Sequence, residues 1–330
     1  MLGPVTEVSN ISRSVTLAPA GLAQQRAALS LILAPSDRLA GENEISEFLR
    51  VADGRKIDLA RLHVAVGGNR LLWAALPIPS PGRTLLLLAP NYFIDQAQVA
   101  AAEFLTQFLC AQYRDCHLAQ LLVEPSSRNL RTVYQRAGFM EIAELAYLQT
   151  AARKPKISPA LPEDYYFENY ASANHELFAT AIRESYEQSL DCPALSKLRD
   201  IEDVILGHKA AGGAGADVMP SGELWRVLMQ RRAGPLGPAP CGVLLLCRTD
   251  GQTMELVYIG LAPHARRRGL GTILVQMALA TAAEENRRLT LAVDSLNQPA
   301  VRLYYRLGFQ KVGAKVAMIR DLRTGNGGEK

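Results

Sequence analysis

Cysteine and histidine are scarce in this chain of 330 residues, which has five of each. The cysteines stand at positions 110, 116, 192, 241 and 247, with no Cys-x-x-Cys pair and no histidine at ligand spacing from any of them. Zinc sites and disulfide frameworks need such clusters. The sequence therefore predicts neither a metal site nor a disulfide framework, and most of the cysteines are expected to be buried as small apolar groups.

Long apolar runs are also absent, since no stretch approaches the roughly 18 residues that span a bilayer. Residues 1–14 contain polar groups and lack the apolar core of a signal peptide. Charge is nearly balanced, with 36 Lys and Arg against 32 Asp and Glu, and the arginines are mostly scattered. This pattern argues against nucleic-acid binding. We therefore expect a cytoplasmic protein with neither a membrane nor a nucleic-acid partner.

The stretch from residue 254 to residue 309 carries the clearest pattern. Glu255–Leu261 is short and β-branched enough to be a strand, and Thr272–Glu285 has apolar residues at helical spacing. Between them lies a glycine turn formed by Arg266, Arg267, Arg268, Gly269, Leu270 and Gly271. Such a turn leaves backbone N–H groups at the start of a helix, where they and the helix dipole favour a phosphate group.

Two common phosphate-binding loops do not match this turn. A Walker loop needs a lysine after its last glycine, and Thr272 follows Gly271 directly. A dinucleotide-binding fingerprint needs three glycines, and only two are present. The pattern that matches is Arg-x-x-Gly-x-Gly, which resembles the pyrophosphate-binding signature of the GNAT superfamily, the acyl-CoA-dependent N-acyltransferases.

A second motif follows the first. Leu289–Val293 predicts a strand, and the next apolar residues fall on one face of a helix that ends at Gly308: Ala300, Leu303, Tyr304 and Leu307. The segment from Asn297 to Phe309 resembles the second GNAT signature. With both signatures in order, the C-terminal half is identified as a GNAT domain.

The first half of the chain repeats the second. Val133–Phe139 aligns with Leu303–Phe309 without a gap, at an offset of 170 residues. A repeat of this size indicates a duplicated domain. The segment Asn91–Gln98 stands where the glycine turn would be, and it has neither glycine nor arginine. The first copy is therefore expected to lack a tight CoA site.

The sequence predicts an α/β (α+β) fold of two tandem GNAT domains, each a mixed sheet flanked by helices. We expect a degenerate domain in residues 1–152, a linker in 153–163, an active domain in 164–322 and a flexible tail in 323–330. Residues 207–222, rich in Gly and Ala, predict a mobile loop. A monomer and a homodimer are both compatible with the duplication. The domain order resembles that of mycothiol synthase, a tandem GNAT enzyme.

The resemblance implies that the C-terminal domain binds acetyl-CoA. The glycine turn and Thr272 would hold the pyrophosphate, and the backbone of Ile259, Gly260 and Leu261 would hold the pantetheine arm. Asn297 and Ala300 stand where relatives approach that arm. Tyr304 matches the family tyrosine that protonates the leaving thiolate, a role suited to a phenol with a pKa of about 10. A tyrosine that only packs in the core is the alternative.

Glu255 stands where mycothiol synthase has its catalytic base. A glutamate in an apolar strand has a raised pKa and can take a proton from an amine. A surface charge on an edge strand is the alternative.

The segment after the first helix of the second domain walls the acceptor site in GNAT enzymes. Its candidate acceptor-binding residues are Glu184, Tyr186, Asp191 and Cys192, and ordinary polar residues at a helix end are the alternative. The predicted function is direct transfer of an acetyl group to a primary amine of a small molecule. A CoA-binding pseudoenzyme or scaffold and a protein or peptide N-acetyltransferase remain open.

Overall fold

The structure is a computed structural model that describes residues 6–8, 15–34, 38–151, 159–195, 198–211, 224–232, 237–249 and 251–323. Parts of three predicted segments lie outside these ranges: residues 153–158 of the linker, 212–222 of the mobile loop and 324–330 of the tail. None of the described helices combines the length and apolar character needed to cross a bilayer.

Strands and helices alternate along the described residues. The strands are β1 (Thr6–Val8), β2 (Val15–Pro19), β3 (His63–Gly67), β4 (Arg70–Ser80), β5 (Thr84–Leu88), β6 (Leu118–Val123), β7 (Met140–Thr150), β8 (Tyr165–Asn169), β9 (Trp225–Gln230), β10 (Ala239–Arg248), β11 (Thr253–Leu261), β12 (Arg288–Asp294) and β13 (Gln310–Asp321). The helices are α1 (Leu22–Ile32), α2 (Glu42–Gly54), α3 (Gln96–Gln112), α4 (Arg128–Arg136), α5 (His175–Tyr186), α6 (Ile201–Ala211), α7 (Leu270–Glu284) and α8 (Gln298–Arg306).

The chain divides into two compact units. Unit 1 contains Met1–Ile142 and Lys315–Lys330, and unit 2 contains Ala143–Ala314. Each unit therefore takes a strand segment from the opposite half of the sequence, an arrangement that we call the strand exchange. For this reason the units do not coincide with the two sequence repeats. The repeat boundary in residues 153–163 stays a prediction.

Unit 1 has a mixed sheet in the strand order β1, β2, β3, β4, β5, β6 and β13, in which only β5 and β6 run parallel. Its last strand segment comes from the end of the chain, where Val316 pairs with Val123 and Asp321 with Leu118. Val316 and Met318 are buried with Leu105 and Leu121 in one core of this unit. The apolar face of α1 packs in a second core.

Unit 2 has a mixed sheet in the order β7, β12, β11, β10, β9 and β8, in which only β11 and β12 run parallel. Its strand β7 comes from the first half of the sequence, and Ala146 and Leu148 join the core of this unit. Leu274, Ala278 and Ala282 give α7 one buried face at helical spacing.

The predicted α/β (α+β) class is confirmed, and the repeat is visible in the elements. Arg128 begins α4 and Gln298 begins α8, at the offset of 170 found in the sequence. Gly308 has φ 91°, the left-handed conformation predicted for the end of α8. Two strands, β1 and β13, were not predicted. The first four residues of β13 are exposed and its buried residues are consecutive, Val316 to Ile319, so this strand shows no alternation of buried and exposed residues.

Three of the five cysteines are buried, as expected: Cys110, Cys116 and Cys241. All five are free thiols.

Candidate active site

The strands β11 and β12 are paired only at their beginnings, where Thr253 to Glu255 pair with Arg288 to Thr290. On its other side β11 follows β10 from Met254 to Leu261, with Val257 as an extra residue in a bulge. Because a bulge bends its strand, β11 leaves β12 after Glu255. Residues 256–261 thus have no ladder partner on the β12 side within the described chain. This edge includes the backbone of Ile259, Gly260 and Leu261.

The glycine turn follows this edge and opens α7. Gly269 precedes the helix with φ 80°, a conformation that glycine adopts without strain. Thr272 and Ile273 both donate their N–H groups to the Gly269 carbonyl, at 3.0 and 3.3 Å. The N–H groups of Gly269, Leu270 and Gly271 have no acceptor in the part of the chain that the structure describes. The start of α7 therefore presents unpaired donors to an anion.

Arg266 belongs to the same motif, but its side chain binds backbone carbonyls of the protein itself. Its guanidinium donates to four backbone carbonyls: Leu261 at 2.9 Å, Gln188 at 3.1 Å, Ser185 at 3.1 Å and Glu187 at 2.6 Å. These bonds join the end of α5 to the end of β11. Arg266 thus acts as a clamp that sets the position of the turn.

Arg267 and Arg268 are exposed beside the turn. Arg268 reaches the Tyr165 hydroxyl at 3.4 Å, and Arg267 has φ 60°. Of the three predicted arginines, these two have their guanidinium groups in solvent. They supply the positive charge that surrounds the open start of α7.

A hydroxyl pair lies against β11 on its α5 side. The Ser185 hydroxyl donates to the Ile182 carbonyl at 2.7 Å, so Tyr258, at 2.8 Å, must be the donor to Ser185. A Cβ at Gly260 would lie 2.5 Å from the Ser185 Oγ and 2.9 Å from the Tyr258 hydroxyl. Gly260 is thus required for the close approach of α5. The sequence analysis did not single out Ser185 or Tyr258.

The ring of Tyr258 also belongs to an aromatic cluster. Tyr186 lies edge-on to it at 5.6 Å, and His208 stacks on it at 5.1 Å. The Nε2 atom of His208 is shut off from solvent and has no partner among the described residues. Burial, and then the charge of Arg199, lower the pKa of His208 to about 3. His208 is therefore neutral at physiological pH.

The loop after α5 is fastened to the end of β12 by two reciprocal hydrogen bonds. The Asp294 N–H donates to the Asp191 Oδ1 at 3.0 Å, and the Cys192 N–H donates to the Asp294 Oδ2 at 3.3 Å. Burial raises the pKa of Asp191, while hydrogen bonds from the Asp294 N–H and the Asn297 side chain oppose that shift. Asn297 also caps α8 through the Ala300 N–H at 3.4 Å. The structure thus brings Asp191, Cys192, Asn297 and Ala300 together.

Cys192 lacks the environment of a nucleophile. Burial and the carboxylates of Asp191 and Asp294 raise the pKa of its thiol to about 12. Glu184 acts on Cys241 near the start of β10: burial, and then the charge of Glu184, raise the pKa of that thiol, while the charge of Arg268 opposes the shift. Tyr186, whose pKa burial raises to about 12, is held in the aromatic cluster.

Tyr304 lies on the buried face of α8 and is 5% exposed. Its hydroxyl donates to no acceptor in the described part of the chain, and its ring packs edge-on against Phe309 at 5.5 Å. Burial, and then the negative charge of Asp191, raise its pKa above the ordinary range. The phenol therefore stays protonated at neutral pH, as a proton donor must.

Glu255 is half-buried on β11, at the point where β11 and β12 separate. Met254 and Leu256 point into the core, so the side chain of Glu255 points to the opposite face of the sheet. Its negative charge, after burial, raises the pKa of Tyr147 on β7. The sequence analysis missed Tyr147, because only the pairing of β7 with β12 places it beside Glu255.

In unit 1, the helix that corresponds to α7 is α3, and the N–H groups at its start are bonded differently. Asp95 caps α3 by accepting the Gln98 N–H at 2.9 Å, and the Gln98 side chain accepts the Ile94 N–H. These bonds satisfy donors that an anion would need, and the Asp95 carboxylate adds negative charge. Tyr134 is buried like Tyr304 and packs on Phe139 at 6.2 Å. Unit 1 thus keeps the tyrosine but lacks an open helix start.

Comparisons with known proteins agree with this geometry. Residues 219–309 match the model of the Acetyltransferase (GNAT) family. This match places a GNAT domain at residues 219–309. A comparison with curated proteins returned no match.

Solved structures extend the likeness in fold to 93% of the chain. A GCN5-related N-acetyltransferase from Sphaerobacter thermophilus has a TM-score of 0.61 at 16% identity, over 93% of this chain and 96% of that one. A tandem GNAT protein from the clavulanic acid biosynthesis pathway, solved without AcCoA, has a TM-score of 0.51 at 14% identity, over 93% and 98%. At these identities the likeness shows the fold, and the predicted tandem GNAT fold is confirmed. The resemblance to mycothiol synthase remains suggestive.

Proposed function

We propose that unit 2 transfers an acetyl group from acetyl-CoA to a primary amine of a small molecule, by direct transfer. The family match supports acyl transfer in general. The observation that carries the proposal is the unpaired edge of β11 leading to the open start of α7. An extended pantetheine arm can pair with such an edge, and a pyrophosphate can accept from the N–H groups of Gly269 to Gly271.

The residues around this edge supply the proton transfers that the reaction requires. The Glu255 carboxylate takes a proton from the acceptor ammonium, and the amine then attacks the thioester carbonyl. The C–S bond breaks, and Tyr304 donates its proton to the departing thiolate. The nitrogen releases its second proton to solvent as the amide forms, solvent returns a proton to Tyr304, and Glu255 releases the proton that it took. The net products are an amide, a free thiol and one proton.

The proposal gives unit 1 a supporting role. Asp95 occupies the start of α3, where a pyrophosphate would need free N–H groups. One acetyl-CoA per chain is therefore expected in a titration. Binding of two would contradict the assignment of a degenerate first domain.

The test is a thiol-release assay with acetyl-CoA and a panel of amines: amino sugars, polyamines, amino acids and peptides. Tyr304→Phe and Glu255→Gln should each lower kcat by about 100-fold or more, while the Kd for acetyl-CoA stays within about twofold. Tyr134→Phe is the matched control, because Tyr134 has the same buried, Phe-paired position in unit 1. It should keep full activity.

Three outcomes would change this proposal. Binding of acetyl-CoA without turnover of any amine would favour a pseudoenzyme or scaffold. Turnover of peptides alone would favour a peptide N-acetyltransferase. Equal activity in Tyr304→Phe and the wild type would remove Tyr304 from the mechanism.

A further inference from the structure

One face of the unit 2 sheet is left uncovered by helices at Ala292. This residue is on β12, which has β11 on one side and β7 on the other. Its neighbours Leu291 and Val293 are buried on the opposite face, yet Ala292 itself is exposed. An exposed side chain on a central strand marks a part of the sheet that no helix covers. The face is therefore open above Ala292.

The strand register identifies the residues around this opening. Glu255 is opposite Thr290 on one side of β12, and Tyr147 is opposite Ala292 on the other. Residues two apart on a strand share a face, so Thr290 and Ala292 point the same way. Glu255 and Tyr147 pair with them and point that way too. The charge of Glu255 acts on the Tyr147 phenol, which agrees with this arrangement.

The end of the opening is also defined. Asp294 shares the face of Ala292, two residues further along β12. Its carboxylate accepts the Cys192 N–H and so holds the loop of Asp191 over this end of the strand. The opening thus has a small residue as its floor, with a carboxylate on one side, a phenol on the other and a fixed loop at its end.

Tyr147 has the chemistry of a ligand-binding residue. It is half-buried, and its hydroxyl has no partner among the residues that the structure describes. A phenol oxygen both donates and accepts hydrogen bonds. The strand exchange brings this residue from the first half of the sequence into unit 2.

We propose that the acceptor amine binds above Ala292, between Tyr147 and Glu255, and that Tyr147 selects primary amines. This inference rests on the proposed function. A primary ammonium that gives one proton to Glu255 keeps two N–H groups and a lone pair. One N–H donates to Glu255, the other donates to the Tyr147 oxygen, and the lone pair faces the unpaired edge of β11. A secondary amine has only one N–H and loses one of these bonds.

The first test measures selectivity in the full chain. The probes are tyramine, benzylamine and the best amine of the thiol-release screen, each beside its N-methyl derivative. Tyr147→Phe should raise the KM of the primary amine and lower the preference for primary over N-methyl amine by about twofold to tenfold, the effect of one hydrogen bond. The KM for acetyl-CoA should not change. Tyr305→Phe, at an exposed tyrosine, is the matched control.

The second test fills the opening. Ala292→Leu places a larger side chain on the floor at an exposed position, so folding should be preserved. It should lower kcat/KM for every amine by more than about tenfold while acetyl-CoA binds with unchanged Kd. A melting temperature equal to that of the wild type checks that the fold is intact.

The outcomes separate the two proposals. If the wild type releases thiol with amines but both variants keep wild-type KM and selectivity, the acceptor does not bind above Ala292, and the proposed function stands. If the wild type releases no thiol with any amine, the proposed function and this inference both fail.

Discussion

The role of Arg266 can be tested sharply, because its motif and its observed hydrogen bonds predict different effects of a substitution. The motif suggests contact with pyrophosphate, whereas the structure has its guanidinium engaged by four carbonyls. We expect Arg266→Ala to destabilise unit 2 far more than it weakens acetyl-CoA binding in the folded protein.

The magnitude follows from the four bonds. A hydrogen bond to a charged group contributes about 1.5–3 kcal/mol. The bonds to Leu261 and Ser185 are partly buried, and those to Gln188 and Glu187 are exposed, where water replaces them at little cost. The two partly buried bonds alone give a loss of about 3 kcal/mol or more. For a unit of this size the melting temperature should fall by about 6–12 °C.

The assay is thermal unfolding followed by calorimetric titration with acetyl-CoA below the transition. Arg268→Ala should affect acetyl-CoA binding rather than stability, because Arg268 is exposed beside the open start of α7. It should leave the melting temperature unchanged and weaken acetyl-CoA binding by about threefold to tenfold. Arg266→Lys should behave like Arg266→Ala, since an ammonium cannot reach four carbonyls in this geometry.

The reasoning would be refuted if Arg266→Ala kept the wild-type melting temperature and lost acetyl-CoA binding. Arg266 would then be a direct ligand, and its bonds to α5 would carry no stability.

Three further predictions concern stability. Gly260→Ala should destabilise unit 2 by about 1–3 kcal/mol through the clash with Ser185, and an unchanged urea midpoint would contradict the close approach. His208 has a folded pKa of about 3 against an ordinary 6.5, so the unfolded chain binds the proton first as pH falls. As pH falls below 6.5, the free energy of unfolding should decrease by at most about 1.4 kcal/mol per pH unit. In His208→Phe, urea titrations should show a smaller decrease with pH. A decrease equal to that of the wild type would exclude His208 as its source. Deleting Lys315–Lys330 should destabilise unit 1 by about 5–9 kcal/mol, because three large buried side chains are lost, Val316, Met318 and Ile319. Hydrogen exchange in β6 measures this, and unchanged protection there would disprove it.

Local patterns predicted the parts of the site that lie close together in sequence. The glycine turn, α7 and the apolar face of α8 were all found where spacing placed them, because helix periodicity and glycine conformation are properties of a few consecutive residues. The left-handed Gly308 is one example.

The sequence could not predict contacts made by distant strands and by side chains that turn away from their motif. Tyr147 reaches Glu255 only through the pairing of β7 with β12. The motif assigned Arg266 to the phosphate, but three of its four carbonyl partners, Ser185, Glu187 and Gln188, are about 80 residues away in sequence. Such pairings depend on tertiary packing, and no local period reports them.

The strand exchange has a consequence for synthesis on the ribosome. Domains commonly fold in order as they emerge, with the N-terminal one first. Here Val316 to Asp321, which pair with β6, are translated almost 200 residues after it. Until then the nascent first unit exposes an unpaired strand edge, a surface that promotes aggregation. The first unit therefore cannot complete its sheet until the second sequence repeat has been translated as well.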